Sequence, residues 1–165
     1  MKKDPFDFTT WIAESVSLAS IEVVRKAITK LAETHTFGVH KHSFYISFIT
    51  QDKEAILPDF LLEQYPEAIT IVLENQFENL KVVAKGFFVS LSFSNKLYDL
   101  FVPFKAIVNF SDKSLNLNIP IMYDGSRLSA KAKKNIQAAA TAKSKARAKK
   151  QTGNSNNIIE FVRID

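Results

Sequence analysis

The sequence predicts a mainly β domain with a long N-terminal α-helix and a C-terminal tail that cannot build a core. Three observations lead there. From Trp11 to Thr34 the chain has neither Gly nor Pro and shows helical periodicity. Between Ser43 and Tyr123, short alternating apolar runs follow one another across short polar separators. From Gly125 to Asn157 large apolar residues nearly vanish, and every charged residue is Lys or Arg.

The helical stretch "WIAESVSLASIEVVRKAITKLAET" carries two apolar stripes. Ile21, Val24, Ile28 and Leu31 form one; Ile12, Val16, Ala19, Val23 and Ala27 form the other beside it. The apolar face is therefore wide. Either both stripes pack within one subunit or a second copy covers part of them. For a homodimer the expected interface includes Ile21, Val24 and Ile28.

After "HTFGVHKH", the run "SFYISFIT" alternates Phe44, Ile46 and Phe48 with Ser43, Tyr45 and Ser47, as a half-buried strand does. "PDFLLEQY" opens with Pro58, a residue suited to the first turn of a helix, and reads as one or two turns. Then come "AITIVLEN", "ENLKVVA", "GFFVSLSF", "LYDLFVPF", "IVNFS" and "LNLNIPIMY". Separators such as "AKG" and "SNK" suit antiparallel hairpins. Along "GFFVSLSF" alternation sends Phe87, Val89, Leu91 and Phe93 to one face and Phe88, Ser90 and Ser92 to the other. The first set is the expected core. The ordered domain is expected to end near Tyr123, because the stretch beyond buries too little to offset the entropy of ordering.

Charge is divided just as sharply. The first 124 residues hold twelve Lys and Arg against fifteen Asp and Glu, and residues 125–157 hold nine against none. The high pI of about 9.3 thus belongs to one segment. Nine cations without an acid can neutralise phosphates in a salt-dependent way, but the segment has no aromatic residue on which a base would stack. A self-repelling tether is the other reading. The absence of Cys removes thiol chemistry and disulfides and fits a cytoplasmic location; no signal peptide or membrane-spanning apolar run is evident.

Catalytic patterns are absent. No Ser sits in a G-x-S-x-G elbow, and four glycines make no phosphate-cradling loop. Of His35, His40 and His42, the last two would share a strand face but lack a third ligand at metal-binding spacing, so no metal or cofactor is expected, and paired carboxylates such as Glu74 and Glu78 read as solvated. The chain is not expected to be an enzyme.

The stretch from His42 to Phe110, above all "YPEAITIVLENQFENL", "FFVSLSF" and "LFVPFKAI" in that order, closely resembles the stringent starvation protein B family in its alpha-proteobacterial form. The resemblance implies a small, strongly bent, Sm-like antiparallel β-barrel behind a helix through which two copies pair. It also implies an adaptor that binds the ssrA degradation tag in a groove and tethers the tagged protein to the ClpX unfoldase of the ClpXP protease. On that basis residues 1–36 are the dimerisation helix, 37–124 the tag-binding barrel, 125–157 a flexible basic linker and 158–165 a ClpX-docking tail. Gln76, in "ENQF", matches a groove position; Asn75 and Phe77 flank it, and Phe88, Ser90 and Ser92 become groove wall. Ile158, Ile159, Phe161 and Val162 become the contacts to the N-terminal zinc-binding domain of ClpX. The alternative function is an Sm-like RNA-binding protein that uses its basic tail.

Overall fold

The structure, a computed structural model, describes residues 7–34 and 42–147. Helix α1 spans Phe8–Thr34. Asp7 caps it: its carboxylate accepts from the Thr10 backbone N–H (3.2 Å) and from the Thr10 hydroxyl. After a segment outside the described residues come β1 (Phe44–Ile49), α2 (Asp59–Gln64), β2 (Ala68–Leu73), β3 (Phe77–Val83), β4 (Gly86–Phe93), β5 (Lys96–Pro103), β6 (Ile107–Asp112) and β7 (Leu117–Pro120). All strands predicted from alternation are present.

They form two antiparallel sheets, with orders β2-β1-β6-β7 and β3-β4-β5. The barrel implied by the resemblance is thus seen as two sheets not closed on each other by a ladder among the described residues. Local chemistry explains the turns. Ser94 and Asn95, at φ 50° and 62°, make the two-residue connection between β4 and β5, where a positive φ at both positions matches the twist of the strands. Gly86 lies opposite Pro103 so closely that a Cβ would sit 2.2 Å from the Val102 carbonyl oxygen. Only glycine permits that approach.

One core joins helix and sheets. Phe87, Val89, Leu91 and Phe93 are all buried, as alternation along β4 predicts, together with Ile46, Phe48, Phe77 and Phe110. Helix α1 contributes Val24, Ile28 and Leu31 to the same cluster, with Ile21 packed beside them. This corrects the expected dimer contacts. Val24 and Ile28 have no exposed surface in a single chain, so they cannot meet a second copy; Ile21 is half-buried against the core. The neighbouring stripe is the open one, with Ile12, Val16 and Val23 each about half exposed and Phe8 and Trp11 also at the surface.

The ordered part also continues beyond Tyr123. A 3-10 turn at Gly125–Arg127 leads into α3 (Ala130–Arg147), within the expected linker. Ser129 starts α3 by accepting from the Ala132 N–H at 3.1 Å, and Ala132 is buried. The Ala and Lys that follow are good helix formers, so the loss of large apolar residues ends the core without ending regular structure. Residues 148–165, including the expected docking end, lie outside the described residues.

Candidate functional site

The expected groove residues fall at one end and along one face of the β3-β4-β5 sheet. The connection Glu74–Gln76 joins the edge strands β2 and β3, one from each sheet. Its two ends are fixed by burial, because Leu73 and Phe77 both enter the core. Asn75 and Gln76 between them are exposed. The Ser43 hydroxyl donates to the Glu74 carboxylate at 2.7 Å and ties this turn to the start of β1.

The antiparallel register places the remaining residues. Phe77 pairs with Leu91, so the preceding Gln76 comes level with Ser92. From there Ser92, Ser90 and Phe88 follow one another on the same face of β4, over about 14 Å at the usual strand rise. The face changes character along its length. Phe88 is 42% exposed and leans against Phe101 with ring centroids 4.7 Å apart. Ser92 is half-buried, and Ser90 is buried.

Ser90 is held in a relay across three strands. The Asn79 side-chain amide donates to its hydroxyl at 2.9 Å, and the hydroxyl donates to the Asp99 carboxylate at 2.5 Å. Asn79 reaches it because β3 loses register between Glu78 and Lys81, with Asn79 at φ 53°. Ser90 therefore organises this face from beneath, and Phe77 anchors the turn from within the core. Of the expected groove residues, Asn75, Gln76, Ser92 and Phe88 keep exposed surface on this face. Sequence alternation put Ser90 on the correct face but could not show that its neighbours cover it.

A second polar constellation, missed in the sequence, fixes the root of the C-terminal segment. Arg127 reaches Asp52 with Nε 2.9 Å from Oδ2 and Nη2 3.0 Å from Oδ1, and Nη2 also lies 2.8 Å from Glu54. The Tyr123 hydroxyl donates to Asp52 at 3.0 Å, and Lys85 approaches Glu54 at 3.0 Å. Asp52 is fully buried at its side chain. The hydrogen bond from Arg127, followed by that from Lys85, pulls the Glu54 carboxyl down to about 2. Burial and then the Asp52 carboxylate push the Tyr123 hydroxyl well above its ordinary value. Backbone bonds from Lys53 to Arg127 and from Ser129 to Gln51, each 3.0 Å, complete the clamp.

His42 stands apart from both. Its Nδ1 is 2.7 Å from the buried Asp112 carboxylate and 2.8 Å from the Ser114 hydroxyl. Burial raises the Asp112 carboxyl, but hydrogen bonds from Ser114 and then His42 bring it below its usual value on balance. Both contacts fall on the same ring nitrogen, an arrangement that secures the start of β1 to the end of β6 and differs from a nucleophile-base relay. Among the described residues no three His, Asp, Glu or Cys side chains gather as a metal site would require, and no helix is long and apolar enough to cross a membrane.

No curated protein matches the chain at a significant level. The family profile of stringent starvation protein B matches residues 18–159, which takes in most of α1, both sheets, α3 and the chain as far as the first two apolar residues of its end. A match of that extent makes the chain a member of the stringent starvation protein B (SspB) family.

Proposed function

We propose that this protein is a non-enzymatic, cytoplasmic adaptor for regulated proteolysis. It binds ssrA-tagged polypeptides on the face formed by Asn75, Gln76, Ser92 and Phe88, with Phe77 and Ser90 supporting that face. It tethers them to the N-terminal zinc-binding domain of ClpX through Ile158, Ile159, Phe161 and Val162. The reading rests chiefly on the family match, which spans the folded domain and α3 and reaches Ile159. The form of the β4 face supports it. An exposed ring at one end and an exposed amide at the other, with small polar residues between, suit an extended peptide that needs both apolar and backbone hydrogen-bonding contacts.

The device works through effective concentration. Two weak contacts on one chain, tag to domain and tail to unfoldase, give a much tighter joint attachment. Each stays weak enough to release when the unfoldase pulls. In a homodimer paired through the exposed stripe of α1, two tails serve one assembly. No cofactor or metal takes part.

Titration of a fluorescent ssrA peptide with the full chain tests the proposal. Saturable binding that is competed by unlabelled tag is the expected result. Absence of binding at tens of micromolar protein overturns the tag assignment.

A further inference from the structure

We propose that α3 is a binding element for duplex DNA, recognising its phosphate backbone without regard to sequence, in addition to the tag and unfoldase contacts. The helix carries Lys131, Lys133, Lys134, Lys143, Lys145 and Arg147 and no acidic residue. At about 100° per residue these six positions are distributed around the whole axis instead of along one face. A helix meant for a membrane surface or a protein groove needs an apolar stripe, and this one has only Ile136 among large apolar residues.

Cations on every side suit an environment with phosphates on more than one side. The major groove of a B-form duplex is such a place: its width of about 12 Å accepts an α-helix with side chains, and it is walled by two phosphate rows. The deep, narrow major groove of duplex RNA does not admit a helix, and α3 has no aromatic side chain on which single-stranded bases stack. The abundant alanines leave the backbone free to approach closely.

The fold presents the helix for this purpose. Its first turn is held to the domain by buried Ala132 and by the Lys133 ammonium, which donates to the Ser126 carbonyl at 3.2 Å. Beyond Ala132 every residue whose side chain is described is exposed, including Lys134, Gln137 and Thr141. The first 124 residues carry fifteen acids against twelve bases, so the excess of cations lies in the C-terminal segment.

The test is fluorescence anisotropy with a labelled mixed-sequence duplex of about 24 base pairs and the full chain. Binding at 50 mM salt that weakens by about five hundredfold at 200 mM, equally for unrelated sequences, is expected for five phosphate contacts, Lys133 being held on the Ser126 carbonyl. Replacing Lys131, Lys134, Lys143 and Lys145 by Gln, which preserves helix propensity, should flatten the log–log salt slope by about three to four units. The melting temperature and the ssrA-peptide affinity should stay unchanged. No binding at 50 mM salt, an undiminished slope in the Gln variant, or tighter binding of single-stranded RNA or polyglutamate than of duplex DNA overturns the proposal.

Discussion

Arg127 holds Asp52 from 75 positions away in the chain, with two parallel contacts of 2.9 and 3.0 Å between guanidinium and carboxylate. The pair joins the segment entering α3 to the loop after β1, so the C-terminal segment leaves the domain from a fixed point. Its worth lies in what removal leaves behind. Arg127→Ala strands a fully buried carboxylate with only the Tyr123 hydroxyl and the Glu54 N–H as partners among the described residues. The expected cost is about 3 kcal/mol, read as a fall in the urea midpoint. Unchanged stability would mean that the clamp is incidental. Truncation after Tyr123 removes Arg127 as well, so a shortened chain that keeps the domain intact ends after Arg147.

The same clamp sets an acid limit. The folded-state pKa of Glu54, about 2, lies below its ordinary 4.5, so the native state favours the ionised form. That contribution is complete above about pH 4.5 and is lost as pH falls through about 2. The difference in urea midpoint between the parent protein and Glu54→Gln should therefore stay constant from pH 6 to about pH 4.5 and shrink from there to pH 2. A difference independent of pH across that range would contradict the assignment.

The two stripes of α1 should respond oppositely to charge. Val24→Asp buries a carboxylate without a partner in the core and should unfold the domain. Val16→Asp and Val23→Asp place the charge on exposed positions and should leave the melting temperature within a few degrees while abolishing self-association. Light scattering at micromolar concentration checks both. A parent protein that is monomeric, or dimeric variants at these positions, would contradict pairing through this face.

These stripes show what the sequence discloses and what it hides. Periodicity identified both apolar rows of α1, and alternation identified every strand and the buried side of β4, because these are local patterns with a fixed period. Which row meets the sheets depends on where β3 and the Phe104–Ala106 turn lie, and no local window contains that. The Arg127–Asp52 pair is hidden for the same reason. The start of α3 was legible in principle, since Ser129 followed by Ala and Lys is a capped helix former. The low apolar content obscured it. On β4, alternation put Phe88, Ser90 and Ser92 on one face, while the covering of Ser90 follows from the break in β3 at Asn79.

Contact and support residues of the proposed tag-binding face should separate in paired measurements. Gln76→Ala removes an exposed amide able to donate and accept along a peptide backbone, and should weaken ssrA-peptide binding by about 1 to 3 kcal/mol with no change in melting temperature. Phe77→Ala opens a core cavity and should cost about 3 to 5 kcal/mol of stability. Equal tag affinity in the parent and the Gln76→Ala protein would remove Gln76 from the site.

The central claim is that one chain connects a tag to an unfoldase, and delivery tests it most directly. The degradation rate of a dilute ssrA-tagged substrate by ClpXP is measured with the full chain and with the double change Ile159→Ser, Phe161→Ser. Only the contact at the unfoldase should be lost, so the parent should accelerate degradation, whereas the variant should bind the tag peptide normally and give no acceleration at any salt concentration. Undiminished acceleration by the variant, or none by the parent, would contradict the account.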